Sequence, residues 1–399
     1  MSISARDAAR TRVDSGGDGL VDLSHRIHAH PEIGFEEERS AAWVEEALAD
    51  AGFTVEAGIC DLPTAFRART GSGPLRIAIC AEYDCLPGIG HACGHNMIAA
   101  MAVGAAVGLA AVADDVGIQV TVLGTPAEEG GGGKILMLER GAFDGVHAAM
   151  MVHPTPFDAV EPSIIPAAQF RVRYTGKEAH ASAFPELGIN AADALVVAQT
   201  AIGLLRQQMG SHDRVHGIVT RGGDAPNVIP AHTEAHYIVR ALQLAELPRL
   251  QERVLRCFEA GATATGATLE VEEMHKPYAE MHHDAKMAAI YKRNAEDLGR
   301  SFVDFGDPGR RPSASTDMGN VSLVVPSIHP FIGIDSLPAV NHQPEFAAHC
   351  VTEVADKAII DGATAMAWTA IDIAANEPLR QRLVQAPAAD LGADSQPPN

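Results

Sequence analysis

Short apolar runs and stretches of helical spacing alternate along the first 150 residues. Thr54–Ile59, Ala65–Thr70 and Leu75–Ala81 (LRIAICA) have the length and apolar content of strands, and Ile118–Gly124 (IQVTVLG) and Ala148–Val152 repeat the pattern. Helical spacing marks Leu20–His30, Glu36–Ala51 and Gly133–Arg140, with Gly52 standing at the C-cap of the second. The uncharged stretch Met97–Ala113 (MIAAMAVGAAVGLAAVA) predicts a helix from about Asn96, buried on all sides. It is shorter than the ~20 residues of a typical membrane span. Strands alternating with helices predict an α/β domain whose mostly parallel sheet is covered by helices. Such sheets bind ligands at the carboxyl ends of their strands.

From about Ala167 the rhythm changes. Strand Phe170–Tyr174, helix Asn190–Met209, strands His216–Arg221 and Glu234–Ala241, helix Glu246–Ala264 and strand Thr268–Glu273 follow in turn. This β-α-β-β-α-β order is that of ferredoxin-like domains. The expected organisation is a catalytic domain in two parts, 1–165 and 278–399, interrupted by an inserted ferredoxin-like lid and dimerisation domain, 166–277. Helix Ala285–Leu298 resumes the first pattern, and a frayed tail is expected from about Ala375.

Composition narrows the function classes. The 399 residues include 30 Lys+Arg against 51 Asp+Glu, a formal net charge of −21. Such a chain repels polyphosphate and anionic lipid, so neither nucleic acid nor membrane is an expected partner. Met1–Gly19 is polar without an apolar run of signal-peptide type, and the six cysteines form no CxxC pair. Reduced thiols in a cytoplasmic protein are expected.

Candidate chemistry falls at successive element ends. Cys93 and His95, two apart around Gly94, can face one ion, and thiolate with imidazole suits zinc or another late transition metal. A tight turn with a buried Cys and a helix-capping Asn96 would read the same way, and this motif alone leaves both open. Glu128 and Glu129 end the strand IQVTVLG, where adjacent carboxylates are costly unless a positive charge lies between them. The glycine run ending at Lys134 resembles a phosphate-binding loop, but Ile135 stands where Ser or Thr is needed. His153 closes a strand, and His342 lies in Asn341-His342-Gln343-Pro344-Glu345-Phe346. Together these donors are too many for a closed structural zinc site and suit one or two ions.

These motifs, with His28-Ala29-His30-Pro31-Glu32, Ala81-Glu82-Tyr83-Asp84, Gly176-Lys177-Glu178-Ala179-His180-Ala181, Pro226-Asn227-Val228-Ile229-Pro230 and Ser315-Thr316-Asp317-Met318-Gly319, resemble metallopeptidase family 20. Within it the chain is most similar to the Cys-containing amidohydrolase branch of aminobenzoyl-glutamate hydrolase and aminoacylase-1-like dipeptidases. The resemblance implies Cys93, His95, Glu129, His153 and His342 as metal ligands, Glu128 as general base and Asp84 behind the ligands. It implies that His180 reaches a neighbouring subunit's site to steady the oxyanion, that Asn227 and Arg240 hold a substrate carboxylate, and that the lid forms a homodimer. Two positions depart from the family pattern. Glu82 replaces a metal-binding His of other members, which leaves its role open, and Asn96 replaces an Asp, which removes a charge from behind the metal.

The implied function is metal-dependent hydrolysis of the amide bond of a small N-acyl-amino acid, an aminobenzoyl-glutamate-like compound or a dipeptide. Zinc is the first expectation for the divalent metal, with manganese and cobalt as alternatives. The competing class is a catalytically silent metal-dependent binding protein. Against it stand Glu128 and His180, both present, and no GxSxG elbow offers a serine nucleophile. His25, His28 and His30 lie on a helix ahead of the motifs and are expected to be structural.

Overall fold

The computed structural model describes residues 4–303 and 313–385. Two compact units emerge: the chain up to Ser163 together with the chain from Met281 onward, and Ile164–Glu280 between them.

The first unit is built on a six-stranded sheet in the order Thr54–Ala57, Phe66–Thr70, Ile118–Gly124, Leu75–Ala81, Ala148–Met150, Ser327–Ile328. The last four run parallel, and the first two are antiparallel to their neighbours. The parallel strands are mostly apolar and almost entirely buried because both faces are covered. Helix His95–Ala110, rich in Ala and Gly, is buried at all but two positions. It packs against helices Ala5–Ser15, Gly17–Ala29 and Glu353–Ala375. By length and composition Glu353–Ala375 could cross a membrane, but 83% of its apolar window is buried inside this unit.

The ends of the chain add two helices, and one reading changes. The polar opening segment contains helix Ala5–Ser15, capped by Ser4 and anchored by buried Ala9 and Val13. The tail expected to fray from about Ala375 is instead helical over Glu377–Gln385, because Leu379 and Leu383 are buried. The rest of that tail, 386–399, lies outside the described residues.

The second unit has a four-stranded antiparallel sheet in the order Thr268–Glu273, Ala167–Thr175, His232–Arg240, Arg214–Arg221. Helices Ala191–Leu205 and Leu247–Thr265 pack together and cover it, and Phe170, Tyr237 and Phe258 fill the space between. Numbered along the chain the order is 4-1-3-2, which the β-α-β-β-α-β connection produces.

Candidate metal centre

The parallel strands deliver the chemistry to one edge. Leu75–Ala81 runs into Glu82 and Asp84, Ile118–Gly124 into Glu128 and Glu129, and Ala148–Met150 into His153. Cys93 and His95 precede and open the central helix. Gly94 between them has φ +81°, and a Cβ there would lie 2.4 Å from Pro154 Cγ, so only glycine fits this turn. His342 is also left-handed, φ +68°, and its N–H donates to the Ala92 carbonyl at 2.8 Å.

Cys93 Sγ lies 3.4 Å from His153 Nε2 and 3.6 Å from His342 Nε2. His342 Nε2 is 3.8 Å from Glu129 Oε2, and His95 Nε2 is 3.9 Å from both Glu128 Oε2 and Glu129 Oε1. A tetrahedral ion with ligand bonds of about 2.0–2.3 Å separates its donors by roughly 3.3–3.8 Å, so these spacings suit donors arranged around cations. Cys93–His95–His153 and Cys93–Glu129–His342 are both compact sets, and they share Cys93. One thiolate between two donor groups fits a pair of ions. His95 Nε2 and Glu129 Oε1 are buried without a hydrogen-bond partner, which a metal would supply.

The groups behind the donors fix their orientation. His95 Nδ1 donates to Asp84 Oδ1 at 2.8 Å, and the other oxygen of Asp84 accepts from the Glu129 N–H at 2.9 Å. His153 Nδ1 meets the Pro154 carbonyl at 2.9 Å. A carbonyl only accepts, so Nδ1 carries the proton and Nε2 is free for a metal. Asn341 Nδ2 donates to the same carbonyl, tying the His342 loop to His153.

The sequence model of the peptidase family M20/M25/M40 matches residues 78–367. The chain belongs to this family. It is 39% identical to the Xaa-Arg dipeptidase of Mus musculus over 382 residues, 92% of this chain and 88% of that protein. It is 35% identical to one of the subunits of the p-aminobenzoyl-glutamate hydrolase of Escherichia coli (strain K12) over 271 residues, 63% of this chain and 56% of that polypeptide. The fold is shared with a Bacillus subtilis protein described as a dinuclear metal binding peptidase from M20 family, with TM-score 0.67, 22% identity, and coverage of 91% of this chain and 99% of that one. This M20 protein is therefore a metallo-amidohydrolase, and the silent-binder alternative is not favoured.

Burial and crowded charges set the proton affinities in the M20 site. Burial pushes the Cys93 thiol well above the usual range, and Glu129 adds to this. Glu128 is pushed well up by burial, then by the charges of Glu82 and Glu129. Burial and the neighbouring His95 bring His153 down to about 4, which keeps the ring neutral as a ligand must be. Burial opposes protonation of His95, but Asp84 and Glu82 outweigh it and raise its pKa well above normal. A divalent ion among these donors reverses the balance for the thiol and for His95.

Three residues of this network have no role that the sequence assigns. Glu82 is fully buried, with Oε2 3.5 Å from His95 Nε2 and Oε1 2.5 Å from Lys134 Nζ. Lys134, which in sequence is only part of a failed phosphate loop, also lies 2.8 Å from Asp317 Oδ1. Asn96 turns away from the donors: its Nδ2 donates to Ser24 Oγ at 2.8 Å and to the Cys350 carbonyl at 3.3 Å. It joins helices rather than leaving a gap behind the metal. His25, His28 and His30 bond to Asp356, the Ala347 carbonyl and the Arg26 carbonyl, outside the donor cluster.

The lid candidates lie in the second unit. His180 is exposed, and its Nδ1 accepts the Ser182 and Ala183 N–H groups at 3.3 Å. Asn227 is its neighbour, since the Asn227 carbonyl accepts from the Ala181 N–H at 3.0 Å. Arg240 is elsewhere. His232, just after the Asn227 loop, pairs with Thr175, while Arg240 pairs with Ala167 at the other end of the same strand. Eight residues of strand separate the two ends by about 26 Å. Asn227 and Arg240 of one chain therefore do not form a single carboxylate clamp.

Proposed function

We propose that this metallo-amidohydrolase is a cytoplasmic dipeptidase for small dipeptides with a basic carboxyl-terminal residue, working with two zinc ions as a homodimer through its lid. The observation that carries the reading is the pair of donor sets sharing Cys93, with the Glu128 carboxylate 3.9 Å from His95 Nε2 beside them. The similarity to an Xaa-Arg dipeptidase along nearly the whole chain supports the substrate class. So does the net charge of −21, which attracts a cationic side chain and repels an aminobenzoyl-glutamate dianion.

Cys93, His95, Glu129, His153 and His342 hold the metal, whose contribution when bound is to acidify water and to polarise the amide carbonyl. Glu128 takes the proton of the attacking water and returns it to the leaving amine. The His180 ring uses Nδ1 as an acceptor, leaving an Nε2–H to donate to the oxyanion. Asn227, beside it, binds the substrate's carboxylate end.

Glu128→Gln keeps the shape and removes the base. The expected result is a kcat lower by at least ~10³-fold with metal content unchanged by elemental analysis. Wild-type turnover in Glu128→Gln contradicts the assignment. Xaa-Arg dipeptides are expected to outperform N-acyl-amino acids and aminobenzoyl-glutamate in kcat/KM, and the opposite ranking refutes the substrate class.

A further inference from the structure

Glu37 is fully buried, and the catalytic scheme above gives it no part. It precedes helix Glu38–Asp50, yet its side chain does not cap that helix. It reaches instead across the fold. Its Oε1 accepts the Ala127 N–H at 2.8 Å and its Oε2 accepts the Thr64 hydroxyl at 2.9 Å.

Ala127 is the residue immediately before Glu128, and its φ is +57°. A non-glycine residue in that conformation is strained and persists only when its surroundings hold it. The surroundings here are specific. The Ala127 carbonyl accepts from Gly131 N at 3.0 Å and Gly132 N at 2.9 Å, while Glu37 takes its N–H. A Cβ on Gly34 or on Gly131 would come within 2.8 or 2.7 Å of the Ala127 methyl, so glycine flanks it on both sides. Two residues on, Asp84 accepts the Glu129 N–H. The segment carrying Glu128 is thus clamped by one carboxylate before it and another after it.

We propose that Glu37 is a positioning residue for the catalytic base, holding Ala127 in the left-handed conformation that directs Glu128 toward the metal donors. The proposal rests on the reading of Glu128 as base. Burial, then the charge of Asp84, push Glu37 up to about 7. Both of its protonation states keep an oxygen that accepts the Ala127 N–H, so a glutamine can replace it and an alanine cannot.

The test uses the full metal-loaded protein with Glu37→Ala, Glu37→Gln and Glu128→Gln, measuring kcat and KM on an Xaa-Arg dipeptide and bound metal by elemental analysis. Glu37→Ala should lose kcat by ~10²-fold with KM within about twofold and metal unchanged, because a misaimed base impairs the chemical step. Glu37→Gln should recover kcat to within about fivefold of wild type, which a role in packing alone does not require. Should Glu37→Ala not fold, Glu37→Asp, one methylene shorter, carries the same expected loss. Wild-type kcat in Glu37→Ala or Glu37→Asp overturns the proposal. So does a Glu37→Gln variant as slow as Glu37→Ala, or a kcat loss matched by loss of metal. An inactive Glu128→Gln beside an unimpaired Glu37→Ala removes Glu37 alone, whereas an active Glu128→Gln removes the base reading itself.

Discussion

Lys134 has no solvent contact, and its ammonium lies between Glu82 and Asp317. Lys134 holds Glu82 down at about 2 against the burial that opposes its ionisation, with help from His95. Removing the cation would leave two buried carboxylates facing each other beside Glu128. Lys134→Met should therefore cost about 3–5 kcal/mol of stability, read as a lower urea midpoint, and a midpoint within error of wild type would refute the pairing. The donors Cys93, His95 and Glu129 and the base Glu128 are legible in sequence because each sits in a short motif of metal-site residue types. Lys134 is not, since its partners lie 52 and 183 residues away and its own surroundings suggest only a glycine loop. Glu37 is hidden for the same reason: it stands among other acids of an exposed-looking stretch and finds Ala127 90 residues further on.

Strands and turns, rather than helices, carry the precision of the site. The parallel strands are read easily from their apolar runs, and their common direction brings Glu82, Glu128 and His153 to one edge. Helix Ala5–Ser15 escapes a reading of the sequence because it is polar on most of its surface and shows only Ala9 and Val13 to the core. The opening helix and the terminal helix Glu377–Gln385 are held by tertiary burial, which local composition does not reveal. The turn through Gly94 is where an element boundary becomes chemistry. Gly94→Ala adds a methyl against Pro154, whose carbonyl orients His153. Metal affinity should fall by about 10-fold or more in competition with a chelator, because the ligand shell is displaced through its supporting contacts. Unchanged affinity would show that the turn tolerates a side chain.

For the whole molecule, the two-unit organisation follows from a change in rhythm: α/β alternation gives way to a β-α-β-β-α-β run and then returns. A lid role for the second unit is what the resemblance implies, and in the sequence it rests on that alone. The unit's His180 and Asn227 sit at one end of the sheet, and Arg240 at the other, a separation fixed by register that no motif displays. The acidic charge of −21 disfavours polyanionic partners and agrees with the cationic dipeptide proposed above, while the local donors of the first unit suit metal. The most direct measurement is hydrolysis of an Xaa-Arg dipeptide during metal removal by a chelator and titration back with zinc, manganese or cobalt. Activity is expected to vanish as the metal leaves and to return with added ion. Hydrolysis at the untreated rate by demonstrably metal-free protein would contradict the account.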